Sequence, residues 1–261
     1  MIIKKANTFD ILKNVYLFRS EPISVVHFLT NRCNARCSFC FIDFENPQTF
    51  KNELELKEID QLTKSFGNSL LNVNFTGGEP FARKDFKEIA KLYVKNTNIQ
   101  SIYITTNGSL PDRIIEFAES INEFDNNIEL TFQISIDDFP EKHNKVRKIK
   151  NLFDNCHEVF HKLKKIDNNI NPVICITVTQ ENCDNIKEIY KVFLEKYHFN
   201  SIKCIAVRDE GVYKTPENLR KKIFESYRWL SKKIEQDVKD GILKNYNPKT
   251  LQGRLHRKKD I

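Results

Sequence analysis

Cys33, Cys37 and Cys40 lie within eight residues of one another in the spacing CxxxCxxC. Seven cysteines placed at random in 261 residues would give that spacing with a probability of about 0.005. Thiolates are metal ligands, so three on one short segment point to a metal centre. A structural zinc site takes four protein ligands, and no second CxxC or HxxxH supplies the fourth nearby. His27 precedes the trio inside an apparent strand and is a weak candidate. An iron–sulfur cluster is also held by thiolates, and three cysteines on a four-iron cube would leave one iron open to a non-protein ligand. The remaining cysteines, Cys156, Cys175, Cys183 and Cys204, have no ligand spacing and read as buried small hydrophobes. With no export signal in Met1 to Arg19, a cytoplasmic, reducing setting without disulfides is expected.

The elements that must carry this loop alternate regularly. Apolar, β-branched runs at Ile23–Leu29, Leu71–Phe75, Ser101–Thr106, Ile128–Ile136, Pro172–Val178 and Ile202–Val207 read as strands. Between them lie helical patterns at Leu56–Phe66, Asp85–Val94, from Pro111 through Ile121, Ile149–Ile166 and Ile186–Tyr197. A last helix starts after Thr215-Pro216 and stops near Gly241. Strands alternating with helices predict a parallel sheet with crossover connections. The apolar runs suggest strands buried on both faces. Six units ending near residue 210 fall short of eight, so an α/β fold, a partial (β/α)6 TIM-like barrel, is expected. The expected organisation is an N-terminal extension over residues 1–22, the barrel over 23–211 and a basic helical segment over 212–261.

Sites in parallel α/β folds form at the C-terminal ends of the strands. The cysteine loop follows the first strand and Gly77-Gly78-Glu79-Pro80 the second. Asn107-Gly108 follows the third, Ser135 and Asp137 end the fourth, and Thr177 to Asn182 close the fifth. Three of only seven glycines fall in this layer, where glycine permits a sharp turn or a close backbone approach. Taken singly, each motif is an ordinary turn or a solvated charge. Together they converge on one rim.

Cys33-Asn34-Ala35-Arg36-Cys37-Ser38-Phe39-Cys40, directly after a first strand, resembles the cluster loop of radical S-adenosylmethionine (SAM) enzymes. Leu29-Thr30-Asn31-Arg32, Thr76-Gly77-Gly78-Glu79-Pro80-Phe81 and Thr105-Thr106-Asn107-Gly108 agree with it. Ser135-Ile136-Asp137 with His143 and Arg147 is similar to the strand-four motif of the subgroup with peptide-maturing members. The resemblance runs from about Ile23 to Val207 and implies a [4Fe-4S] cluster on Cys33, Cys37 and Cys40. It implies S-adenosyl-L-methionine chelated to the open iron and cleaved to a 5′-deoxyadenosyl radical that abstracts hydrogen from a substrate. Phe39 would shield the cluster and contact the adenine. Gly77 and Gly78 would present backbone to the SAM amino group, with Glu79 as its anionic partner. Arg147 and Ser135 would take the SAM carboxylate and Asn107 the ribose or methionyl part, with Thr177 a further candidate. The resemblance also implies an electron donor such as flavodoxin or ferredoxin and a peptide or small-molecule substrate. Asp137-Asp138 stands where the subgroup often has Asp-Gly, and His143-Asn144 where it often has His-Asp. Both departures bear on the substrate side. The cysteine-rich C-terminal extension (SPASM) of many relatives has no counterpart after Cys204.

The net charge of +7 belongs to the C-terminal fifth, since residues 212–261 hold 14 basic and 6 acidic residues. A solvated helix face is the preferred reading. Phe224, Tyr227 and Trp229 lie at helix spacing and read as packing, which disfavours a nucleic-acid partner without excluding one. No apolar stretch is long enough to span a membrane. A non-catalytic iron–sulfur module and a nucleic-acid-modifying enzyme are the alternatives.

Overall fold

The computed structural model describes residues 21–209 and 211–244, together with Tyr16. Of the expected organisation, the extension before residue 21 and the chain after 244 therefore fall almost wholly outside the described residues.

Six strands form one parallel sheet in sequence order: β1 (Ser24–Thr30), β2 (Asn72–Gly77), β3 (Ser101–Thr106), β4 (Glu129–Ser135), β5 (Ile170–Val178) and β6 (Ile202–Ala206). The helices are α1 (Leu56–Ser65), α2 (Phe86–Asn96), α3 (Pro111–Phe124), α4 (Pro140–Arg147), α5 (Leu152–Leu163), α6 (Ile186–Glu195) and α7 (Glu217–Lys239). The expected α/β partial barrel is thus present. Each amphipathic stripe lands on the outer face of the sheet. Phe86, Ile89, Ala90 and Tyr93 are the buried residues of α2, and Ile114, Phe117, Ala118 and Ile121 those of α3. Proline opens α3 and α4, where its missing N–H costs nothing.

In-register neighbours of a parallel sheet point to the same side, so the pairing separates two faces. His27, Phe75, Ile104 and Phe132 belong to the outer face. There His27 bonds the hydroxyl of Tyr93 at 3.0 Å, and Phe75 packs edge-on against Phe86 and Tyr93. Val26, Asn74, Tyr103 and Thr131 share the other face, as do Ser135, Cys175 and Lys203. The expectation of strands buried on both faces holds for β4 and β5 and not for the edge strands β1 and β6. A closed eight-stranded barrel fills its interior with bulky side chains. Here the concave face is largely polar, and it opens toward the ends of the sheet: Val26 and Phe28 on β1 are 55% and 52% exposed and Ile205 on β6 is 37% exposed. The sheet is curled all the same, because Lys203 on β6 reaches Tyr103 on β3. Among the described strands β1 and β6 do not pair, so the wall is open between them.

The segment over Pro140–Arg147, which lies between the fourth expected strand and the helical pattern at Ile149–Ile166, is a helix of its own. Only His143 and Arg147 of it are buried, one turn apart, so it has no apolar stripe to announce it. At the C-terminal end, α7 buries Ile223, Leu230 and Asp237, and Tyr190 of α6 donates to Asp237 Oδ2 at 2.7 Å. Tyr227 and Trp229 pack against the core as expected, whereas Phe224 is 51% exposed. No helix of the described residues is long and apolar enough to cross a membrane.

Candidate cluster and cofactor site

The cysteine loop is fastened at both ends. At its start, Gly78 N–H donates to the Thr30 carbonyl at 2.6 Å and Glu79 N–H to the Arg32 carbonyl at 2.9 Å. A Cβ on Gly77 would run into the Thr30 carbonyl, and one on Gly78 into that of Arg32. The glycine pair is therefore required by the contact between two loops, and Gly77 at φ +130° also occupies backbone space that side chains rarely adopt. Further along, Arg36 N–H donates to the Arg147 carbonyl at 3.1 Å and Ser38 N–H to that of Val146 at 3.3 Å. The loop thus satisfies carbonyls that the end of α4 would leave unpaired. Cys40 N–H donates to the Cys37 carbonyl at 3.2 Å, closing a turn over Ser38-Phe39 with the two thiols at its ends.

Asn107, after β3, meets the same loop. Its Nδ2 donates to Asn34 Oδ1 at 2.9 Å and lies 3.7 Å from Cys33 Sγ, which also accepts from Ala35 N–H at 3.3 Å. Glu79, the expected anionic partner of the SAM amino group, is fully buried. Oε1 accepts from Phe81 N–H at 3.1 Å and from the Thr106 hydroxyl at 2.8 Å, and Oε2 accepts from Asn107 N–H at 2.7 Å. Burial raises its carboxyl to about 7, against these three donors. It ties the loop after β2 to the loop after β3.

Asp137 is the residue that the sequence reading left without a role. Its Oδ2 accepts from Arg147 Nε at 2.7 Å and its Oδ1 from Thr177 N–H at 3.0 Å. Its N–H donates to His143 Nδ1 at 3.2 Å, and its carbonyl accepts from Asn182 Nδ2 at 2.8 Å. Burial alone would raise its carboxyl, but Arg147 beside it holds it below the usual carboxylate range. Burial lowers His143 to about 3, which keeps the ring neutral and leaves Nδ1 free to accept. The Arg147 guanidinium lies 5.7 Å from the centroid of the Phe39 ring. Phe39, Asn107, Glu79 and Arg147 therefore gather round the cysteine loop. Ser135 stands part-exposed at the end of β4, and Thr177 enters through its backbone. Asn182 is the second residue that was given no role of its own, and its one sequence signal was its place in the layer after the fifth strand.

Three thiols on one loop are a soft donor set that suits an iron–sulfur cluster, in which each thiolate takes a separate corner of the cube. Burial raises Cys33 to about 11 and pushes Cys37 and Cys40 up as well, so metal binding must displace protons. Arg147 acts in the opposite sense on Cys37 and Cys40. The other cysteines behave as expected: Cys156, Cys175 and Cys183 are buried, and Cys204 is partly so.

A family profile described as the Radical SAM superfamily matches residues 28–193. The Fe-coproporphyrin III synthase of Methanosarcina barkeri is 32% identical over 181 residues, 67% of this chain and 42% of that protein. The sporulation killing factor maturation protein SkfB of Bacillus subtilis is 27% identical over 170 residues, 64% of this chain and 38% of that protein. The chain thus spans about two-fifths of the length of these relatives. Among solved structures, anSMEcpe with bound AdoMet and Kp18Cys peptide shares the fold, with a TM-score of 0.67 and 20% identity over 84% of this chain and 62% of that one. Streptococcus suis SuiB bound to precursor peptide SuiA has a TM-score of 0.60 and 17% identity over 88% of this chain and 52% of that one.

Proposed function

Because this chain belongs to the radical SAM superfamily, whose enzymes use a [4Fe-4S] cluster and SAM, we propose that it cleaves SAM reductively and uses the product to abstract hydrogen from a substrate. Cys33, Cys37 and Cys40 are the cluster ligands in this reading. When bound, the cluster supplies the electron that releases a 5′-deoxyadenosyl radical from SAM. Everything else is positioning by this chain. Asp137 commits Arg147 Nε and thereby aims the rest of the guanidinium fork at the SAM carboxylate, beside Ser135. The Gly77-Gly78 backbone, fixed to the cysteine loop, borders the amino end. Glu79 holds that loop to Asn107, which borders the ribose or methionyl part. Phe39 covers the cluster face next to Arg147.

The observation that carries this reading is the placement of one loop. It bears three thiols and is hydrogen-bonded both to the glycine pair and to the last turn of α4, at the C-terminal rim of a parallel sheet. The relatives are a sporulation killing factor maturation protein, an Fe-coproporphyrin III synthase and the GTP 3′,8-cyclase of Actinobacillus pleuropneumoniae, 31% identical over 48% of this chain and 38% of that protein, so their substrates differ in class. A peptide or small metabolite as substrate and a flavodoxin or ferredoxin as electron donor complete the proposal. Anaerobic reconstitution should load about four irons per chain. Dithionite and SAM should then release 5′-deoxyadenosine. The combined Cys33→Ala, Cys37→Ala and Cys40→Ala variant should hold no cluster; iron retained in full by that variant would overturn the assignment.

A further inference from the structure

The concave face carries a charge that the site above does not use. Lys203 Nζ donates to the Tyr103 hydroxyl at 2.6 Å and stands 5.0 Å from the centroid of its ring. Tyr103 in turn donates to Gln133 Oε1 at 2.6 Å. Burial holds the Tyr103 phenol well above its ordinary range, so it stays protonated and serves as both acceptor and donor in this chain. The partners of the ammonium are thus a phenol and a ring face, and no acidic side chain pairs with it among the described residues.

Among the described residues the strands do not compensate that charge on this face. The strands contribute one carboxylate to this face, Glu129 at the opposite end of β4, where it accepts from Asn171 Nδ2 at 3.2 Å. At the rim, the Asp137 carboxylate is matched by Arg147. Between them lie neutral groups. One of these, Asn74 Oδ1, is buried without a hydrogen-bond partner. A cation in a partly enclosed concavity with only neutral partners attracts an anion, and more strongly than it would in open water. A buried acceptor without a donor is a second vacancy of opposite chemistry.

We propose that Lys203, oriented by Tyr103 and Gln133, anchors an anionic group of the substrate, a carboxylate or a phosphate, and that Asn74 accepts from an N–H or O–H of the same molecule. This rests on reading the concave face as the substrate side of a radical SAM enzyme. It names the substrate class as acidic, with its carbon body against Val26, Phe28 and Ile205 at the open end of the sheet. Tyr103 and Gln133 are positioning residues, and Lys203 determines specificity.

The test follows acetylation of individual lysines by mass spectrometry in the reconstituted full chain, with glutarate, inorganic phosphate and neutral glutaramide as probes. Protection of Lys203 should be half-complete at a concentration about tenfold lower for at least one of the two anions than for the amide. Exposed lysines such as Lys57 should show no such preference. Whichever anion protects better identifies the group as carboxylate or phosphate. The Tyr103→Phe variant should keep Lys203 reactive but weaken the preference. Equal protection by glutaramide, protection shared with Lys57, or none from either anion would overturn the proposal. Release of 5′-deoxyadenosine by the unsubstituted enzyme is scored in parallel. Its absence would overturn the radical reading, while the anion measurement would still be decided by Lys203 labelling.

Discussion

Asp137 gathers four partners from three places: the ring of His143 and the guanidinium of Arg147 on α4, the backbone of Thr177 on β5 and the amide of Asn182 beyond it. Removing its carboxylate leaves Arg147 buried and uncompensated, so Asp137→Ala should lose about 3–5 kcal/mol of stability in urea denaturation of the metal-free chain. Glu79 makes a prediction of opposite electrostatic character. The unfolded chain releases its proton near the ordinary 4.5, whereas the folded chain holds it up to about 7. The folded state therefore binds more protons across that window, and the stability this confers is lost as pH rises through it, by up to about 3 kcal/mol. The stability of the unsubstituted protein relative to Glu79→Gln should fall between about pH 5 and about pH 8. A flat difference would mean that the three donors keep the carboxylate ionised throughout. At this scale the cysteines, the glycine pair and Arg147 were legible because their identity and spacing carry the signal. The role of Asp137 was not, because it exists only once α4 folds back and delivers His143 and Arg147 to the end of β4.

Most elements were legible for the same reason that they form: apolar stripes at helical period, and β-branched runs bounded by turns. α4 was the exception, since its two buried positions are a histidine and an arginine and their stabilisation comes from partners distant in sequence. The polar lining was also present as an alternation, Thr131-Phe132-Gln133-Ile134-Ser135, but the apolar half dominated the reading. The two loops that meet at Gly78 give an element-scale test. Gly78→Ala places a methyl group against the Arg32 carbonyl, and two backbones bonded to each other have little room to separate. It should destabilise the chain by about 1–3 kcal/mol in urea and lower the iron held after reconstitution. A variant with unchanged stability and iron content would show that the loops yield more easily than their hydrogen bonds suggest.

For the whole molecule, the basic C-terminal fifth is in part structural. α7 buries Ile223 and Leu230 in the main core and seats Asp237 under Tyr190 and Lys233. A chain ending at residue 211 should lose about 4 kcal/mol or more and unfold at markedly lower urea, because two large aliphatic side chains leave the core together. Unchanged denaturation would make residues 212–244 an appendage. The charge of this region was legible in the composition and the packing of Tyr227 and Trp229 in their helix spacing, but the seating of Asp237 under Tyr190 was not, since it depends on a partner distant in sequence. Among the described residues the wall is a drum with six staves and a gap between β1 and β6. If the proposed reaction runs inside it, the bulk of the reactant becomes part of the container at that flank. A bulky reactant would shelter the chemistry from stray hydrogen donors in the solvent, while a slight one would leave the flank wet and waste the oxidising equivalent.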